Sequence, residues 1–350
     1  MIITRTSYRV SFAGGGTDLP SFSREEAGAV LSAAIDRSIY VTVHRRFEPT
    51  IRVSYLRTEE AATLDEVRHE LVREAMRLTG VNGRREVTTI GDVPAGTGMG
   101  SSSSLTVGLL AALYEYRGQA VTARRLAEEA CRIEIDVLGK PIGRQDQYAA
   151  AFGGLNFIRF HPDDSVEVEP VACRGETLAE LERWALLFFT GKTRDADAIL
   201  GPQCRVTASR RDTLRAMRDL AAAMRDELEG AGRLDRFAGL LHDGWELKRS
   251  VCCGITTDLV DAWYAAARRA GAAGGKLLGA GGGGFLLVLA PPDRHEAIRA
   301  ALGRPRELPF RIAPHGARAI YTRHEEFLEP HGVEVEPDRR VVGTITSRQG

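Results

Sequence analysis

The chain has 350 residues, with 47 Lys plus Arg against 47 Asp plus Glu and 43% hydrophobic residues. That length exceeds one ordinary hydrophobic core and predicts two domains, while the balanced charge argues against a general nucleic-acid binder or an anionic-membrane partner. Arg5 and Arg9 interrupt any apolar leader, no stretch approaches the roughly 18 apolar residues of a membrane span, and the five cysteines lack a CxxC pair, so a cytoplasmic protein with reduced thiols is expected rather than a disulfide framework or zinc site.

Residues 2–12, 29–35, 39–43 and 51–56 read as strands, rich in β-branched or alternating apolar positions and separated by Gly, Pro and charge. Helical spacing over 66–78 stops near Gly80, and a strand follows over 87–93. Residues 94–104, Pro-Ala-Gly-Thr-Gly-Met-Gly-Ser-Ser-Ser-Ser, then lead into 105–116, a helix apolar nearly all round and hence buried. Thr122 opens a further helix that Gly139 closes. Strands are expected over 155–160, 166–171 and 184–189, long helices over 205–229, 233–250 and 257–270, and strands over 285–289 and 310–312. Runs of strands and runs of helices, rather than strict alternation, predict an α+β class. A boundary near 172–182 divides the chain into domains 1–175 and 176–330, with a polar tail over 331–350.

The loop 94–104 has the composition of a phosphate cradle. Gly96, Gly98 and Gly100 let the backbone approach an anion, and Ser101, Ser102, Ser103 and Ser104 begin a helix whose free N–H groups attract negative charge; Pro94, Thr97 and Met99 complete the segment. A flexible turn is the ordinary reading of such composition, but the buried helix behind it anchors the loop in a core. Two other matches fail on context. The run Gly279–Gly284 fits G-x-G-x-x-G yet leads into a strand, and Gly274-Gly275-Lys276 lacks the first glycine and the Ser or Thr of a P-loop. Glu134 shares one helical face with Leu126, Ala130 and Leu138, an apolar stripe on which a carboxylate needs a cation, strong donors or a structural ion pair. Asp146 lies in the turn-rich segment 139–147, as a base or a helix cap. Arg9 precedes the Gly-rich bend 13–18, which ends in Asp18 and would otherwise be a β-turn.

Together these segments resemble the GHMP kinases, the small-molecule kinases that include galactokinase, homoserine kinase and mevalonate kinase. Arg9 with 11–18 is similar to the first family motif, 94–104 to the second and 276–285 to the third. Within the superfamily, Phe12-Ala-Gly-Gly-Gly-Thr-Asp18, Gly143-Arg-Gln-Asp-Gln-Tyr148 and Gly275-Lys-Leu-Leu-Gly-Ala-Gly-Gly-Gly-Gly284 look like the heptose 7-phosphate kinase branch. Two departures stand out. Gly14-Gly15-Gly16 replaces the Gly-Glu-His of galactokinases, leaving room for a larger substrate, and Leu278 stands where many members have Thr.

The resemblance implies a two-domain fold, with a left-handed crossover in the N-terminal α+β domain, a ferredoxin-like C-terminal domain and the active site between them. It implies ATP and Mg²⁺ as cofactors: 96–104 would bind the phosphates, Ser102 and Glu134 the Mg²⁺, and Asp146 would accept the proton of the attacking hydroxyl with Arg9 beside it. Asp18, Gly14, Gly15, Gly16, Thr17, Gly143, Gly281 and Gly282 would surround the sugar. The implied partner is a small-molecule sugar phosphate, D-glycero-D-manno-heptose 7-phosphate, phosphorylated on its anomeric C1 hydroxyl for nucleotide-activated heptose synthesis. Its own phosphate needs a second anion site, for which Arg144, Lys192, Arg194 and Lys248 are candidates. Another sugar-1-kinase such as a fucokinase, or a non-catalytic sugar sensor, is the alternative, and assembly into a homo-oligomer stays open.

Overall fold

The computed structural model describes residues 1–193, 208–252 and 254–323. The first part runs β1 (Ile2–Ala13), α1 (Pro20–Ser23), β2 (Gly28–Arg45), β3 (Ile51–Ser54), β4 (Thr58–Ala61), α2 (Glu70–Thr79), β5 (Arg85–Gly91), α3 (Ser101–Tyr116), α4 (Ala123–Cys131), α5 (Gln145–Phe152), β6 (Leu155–Phe160) and β7 (Val166–Pro170). There follow α6 (Gly175–Trp184), β8 (Ala185–Phe189), α7 (Ala208–Glu229), α8 (Leu234–Val251), α9 (Asp258–Arg269), β9 (Gly274–Leu277), β10 (Phe285–Leu289), α10 (His295–Ala301) and β11 (Arg318–Thr322).

β1 and β2 pair antiparallel along their length and form the spine of an eight-stranded sheet. The polar trio Asp36, Arg37 and Ser38, expected to separate two strands, is carried inside one long β2. Register shifts in β1 between Ser7 and Arg9 and between Ser11 and Ala13 bend the pair and absorb the irregularity. The other edge of β2 is shared, with β6 pairing to 28–33 and β5 to 39–45. On this sheet lies α3, buried from Ser103 to Tyr114 and flanked by α2, α4 and α5, which is why it is apolar on every side.

The expected helix from 122 to 139 is two structures. Thr122 caps α4 by accepting from the Arg125 N–H at 3.2 Å, but beyond Cys131 the chain widens into a π-type turn, Arg132–Val137, which holds Glu134. Such turns re-aim a side chain at the cost of regular helix hydrogen bonding.

β8, β10 and β9 form a second sheet, in the order β8-β10-β9. Residues 306–308 add to the free edge of β8: the Phe189 N–H donates to Arg306 O at 2.9 Å and the Leu308 N–H to Leu187 O at 2.8 Å. The spatial order 306–308, β8, β10, β9 is that of a ferredoxin-like unit, its last strand reduced to the bridge between Phe188 and Glu307.

Three further expectations change. Residues 310–312 make only the bridge from Ile312 to Ile35, Pro309 and Pro314 on either side having no N–H to extend a ladder. β11 pairs with β1, so the chain returns to the first sheet after building the second. Cys131 and Cys173 are free, but Cys252 is disulfide-bonded rather than reduced. Among the described residues no helix is long and apolar enough to cross a membrane.

Candidate active site

A cavity of about 1130 Å³ gathers residues from all three glycine-rich segments. Between β5 and α3, the backbone turns at Gly100, which gives α3 no side-chain cap. The N–H groups of the first turn of α3 therefore remain as anion donors at the cavity wall, where Ser101, Ser102 and Ser103 stand. Pro94, Gly96, Gly98 and Gly100 line the same wall. Thr97, Met99 and Ser104 hold the loop in place from behind: the Thr97 hydroxyl donates to Pro94 O at 3.0 Å, the Ser104 hydroxyl to Ser7 O at 2.9 Å, and Met99 O accepts from the Arg9 N–H at 3.2 Å. Gly98 and Gly279 touch backbone to backbone, since a Cβ on Gly279 would lie 2.4 Å from the Gly98 Cα. Side chains at either position would force the second and third motifs apart.

Asp146 opens α5, and its carboxylate lies against the phosphate loop: a Cβ on Gly100 would stand 3.2 Å from its Cγ. Arg9 grips both oxygens, Nε to Oδ1 at 2.7 Å and Nη2 to Oδ2 at 2.9 Å, and its Nη1 donates to Gly98 O at 2.6 Å. The guanidinium is buried in β1 while the carboxylate retains 23% exposure toward the cavity. Such a bidentate pair fixes the carboxylate's direction as well as its charge.

Glu134 is fully buried and, among the described residues, has no ion-pair partner. Only neutral groups serve it: the Ser102 hydroxyl donates to Oε1 and Gln147 Nε2 to Oε2 at 2.8 Å. Burial raises its pKa, against the lowering by hydrogen bonds from Ser102, Gln147 and Ser103 and by the more distant Lys140 charge. A buried carboxylate held by neutral donors beside a cavity fits a divalent cation. Among the described residues no group of three His, Cys, Asp or Glu could hold a metal ion, so a cation held by Ser102 and Glu134 would need further ligands from outside the protein.

Gly15, Gly16 and Asp18 line the cavity, whereas Thr17 is buried behind them, its hydroxyl donating to Gly14 O at 2.8 Å, and Gly14 packs on the backbone of Ala29. Asp18 is nearly inaccessible, and its oxygens already accept from the Gly16 N–H at 2.9 Å and the Gln145 N–H at 3.1 Å. Burial raises its pKa, with the Asp146 charge adding to the effect. Asp18 thus fastens the first motif to the start of the helix that carries Asp146. Gly143 makes room for this, because a Cβ there would lie 1.9 Å from Asp18 Oδ2. Gly143→Ala is expected to displace that carboxylate, lower the melting temperature by an overpacking cost of about 1–3 kcal/mol and reduce turnover about 10²-fold through a misplaced Asp146. Wild-type melting and kinetics in this variant would contradict the close approach.

The expected anion-site residues separate. Lys248 lines the cavity, donating to Gly279 O at 2.5 Å and to Leu277 O at 3.3 Å. Arg144 is buried elsewhere, donating to Asp164 O at 2.7 Å and to the Ser23 hydroxyl at 3.2 Å over the ring of Phe160. That guanidinium ties loops together and does not reach the cavity. Lys192 is exposed and off the cavity wall, and Arg194 lies outside the described residues. Gly281 faces the cavity, but Gly282 is turned away, its N–H donating to Ile255 O at 2.8 Å.

Sequence reasoning passed over two residues. Gln147 follows Asp146 on α5 and points about 100° round the helix, where it meets Glu134. Lys276 is buried at the cavity wall, donating to Phe12 O at 3.0 Å, and its pKa is pushed well below the usual range by burial, then by Lys248 and Arg9. A lysine inside an otherwise apolar strand, Gly-Gly-Lys-Leu, was the available signal for the second.

Comparison with known proteins identifies the family. The GHMP kinases N terminal domain matches residues 64–154 and the GHMP kinases C terminal domain residues 217–306. The chain is 31% identical over 285 residues to the D-glycero-alpha-D-manno-heptose 7-phosphate kinase of Campylobacter jejuni, covering 76% of this chain and 82% of that protein. It is 27% identical over 280 residues to the bifunctional fucokinase/GDP-fucose pyrophosphorylase of Arabidopsis thaliana, covering 72% of this chain but 26% of that longer protein. Among solved structures, a D-glycero-D-manno-heptose 1-phosphate kinase from Bacteroides thetaiotaomicron superposes with a TM-score of 0.76 at 25% identity, over 93% of this chain and 100% of that one. With both family domains matched in order, the chain belongs to the GHMP kinases.

Proposed function

We propose that this GHMP sugar kinase transfers the γ-phosphoryl group of ATP to the anomeric C1 hydroxyl of D-glycero-D-manno-heptose 7-phosphate, giving the 1,7-bisphosphate for nucleotide-activated heptose synthesis. The observation that carries the reading is the Arg9–Asp146 pair, whose carboxylate faces the cavity directly against the Gly100 turn of the phosphate loop. A base beside an anion cradle is the geometry that in-line phosphoryl transfer needs. The name of one similar protein, a heptose 7-phosphate kinase, supports the choice of acceptor, and the name of a second shares the heptose but not the phosphate position.

In this reading ATP lays its phosphates along Gly96–Gly100 and the open first turn of α3. Ser102 and Glu134 would hold Mg²⁺, which would supply neutralisation of phosphate charge. Asp146 accepts the proton of the acceptor hydroxyl as that oxygen bonds to the γ-phosphorus and the bond from phosphorus to the ADP oxygen breaks. Arg9 keeps the carboxylate aimed and offsets charge at the transfer point. Gly15, Gly16 and Asp18 bound the sugar, with open space where galactokinases carry larger side chains. The acceptor's own phosphate needs a second anion site; of the basic residues expected there, Arg144 and Lys192 lie off the cavity wall, and Lys248 lines it beside the phosphate loop, tied to Gly279 O.

The test is ADP release with Mg·ATP and a panel of C6 and C7 sugars, each with and without a terminal phosphate. Heptose 7-phosphate is expected to give the highest kcat/KM. Turnover on free fucose with none on heptose 7-phosphate would make the protein a fucokinase, and no acceptor-dependent turnover at all would make it a non-catalytic sensor.

A further inference from the structure

Three cations meet in one wall of the cavity, and only one has a carboxylate. Arg9 is matched by Asp146. Lys248 and Lys276 make no ion pair among the described residues; Lys248 donates to the backbone oxygens of Leu277 and Gly279, and Lys276 to that of Phe12. Each ammonium carries three donors, so donors remain for an arriving anion. Burial is the main force pushing the Lys248 pKa down, to about 8, with Arg9 second. An uncompensated pair of this kind is costly in the empty protein and is relieved by negative charge.

The position of Lys248 is fixed through two glycines. Gly98 O accepts from Arg9 Nη1, Gly279 packs on the Gly98 backbone, and Gly279 O accepts from Lys248 Nζ. Lys248 is thereby tied to the junction where the phosphate loop, the third motif and the Arg9–Asp146 pair meet. That junction is the point of transfer, not the far end of an acceptor seven carbons long. We propose that Lys248 is a further catalytic residue, whose ammonium contacts the transferred phosphoryl group and stabilises the charge it carries in flight, with buried Lys276 reinforcing the field. The assignment rests on the kinase reading above. Lys276 from β9 and Lys248 from the last turns of α8 line the same cavity.

The experiment measures kcat, acceptor KM and the dissociation constant of a fluorescent ATP analogue for wild type, Lys248→Met, Lys248→Arg and Lys276→Met, with a phosphorylated acceptor and its unphosphorylated counterpart. Lys248→Met is expected to lose about 10² in kcat on both acceptors, as on removal of one preorganised charge donor, with both binding constants changed less than about threefold. Lys248→Arg recovers part of the loss, and Lys276→Met moves kcat in the same direction by less. A KM rise confined to the phosphorylated acceptor at unchanged kcat overturns the proposal and makes Lys248 a clamp for the acceptor's own phosphate. Unchanged kinetics in Lys248→Met, with the fold intact by melting, also overturns it. Wild type inactive on every sugar sinks the kinase reading itself, and this assignment with it.

Discussion

Asp146→Asn is expected to lower kcat by about 10²- to 10⁴-fold, the range spanned by loss of a positioned general base. The amide cannot take the acceptor's proton, yet it fills the same space and keeps one oxygen for Arg9. ATP affinity should barely change, because the phosphate loop and the α3 terminus are untouched. Stability should fall, since Arg9 is buried and loses its charge partner. Breaking a fully buried pair costs roughly 3–5 kcal/mol, and the 23% exposure of Asp146 places this loss lower, at about 1–3 kcal/mol. Steady-state kinetics, ATP binding and thermal melting of the same preparation separate the two effects. A variant with wild-type kcat removes Asp146 as the base.

Glu134→Gln should do the opposite to stability while also disabling the enzyme. The Glu134 pKa is raised in the folded state, chiefly by burial. The folded protein therefore binds more protons there than the unfolded chain does, and the favourable contribution, complete below the unfolded value of 4.5, is lost as pH rises through the folded value. As pH rises the wild type increasingly bears the burial penalty of that charge, offset in part by Ser102, Gln147, Ser103 and the Lys140 charge. Gln removes that charge, and its new NH₂ group has a waiting acceptor: the buried Oε1 of Gln147 has no partner and meets it after an amide flip. The variant should melt higher than wild type at about pH 7 and show no gain at about pH 4. Without the carboxylate, kcat/KM for Mg·ATP should drop about 10²- to 10³-fold, and Mg·ATP should stabilise the variant less than the wild type. A variant that melts lower at neutral pH and keeps its activity contradicts the assignment of Glu134 as a cation ligand.

The sequence carried local chemistry further than it carried pairing. The 94–104 loop is legible because the all-round apolar helix behind it argues against the flexible turn its glycines alone suggest, and the structure places that loop where α3 begins. Glu134 was found because a carboxylate on an apolar stripe is anomalous, although the turn that carries it is π-type rather than α-helical. Arg9 and Asp146 lie 137 residues apart, and their juxtaposition follows from the family resemblance, because nothing local in either segment fixes the bidentate grip. Arg144 looked as available for an anion as Lys248 did; burial against Phe160 and the Asp164 backbone, a tertiary fact, removes it from the cavity. β2 was split in two because Asp36, Arg37 and Ser38 look like a turn, and only irregularities in its partner strand carry it through. β9 and β11 were missed because four residues with two glycines, and an exposed five-residue edge strand, give no periodic signal.

The most direct measurement locates the new phosphate. Wild-type protein incubated with Mg·ATP and D-glycero-D-manno-heptose 7-phosphate, and followed by phosphorus NMR, should yield a second sugar phosphorus signal coupled to the anomeric proton, while the original terminal phosphate stays in place. Release of ADP with phosphate on any other carbon, or with no phosphorylated sugar at all, would contradict a cavity in which Asp146 takes its proton from the C1 hydroxyl.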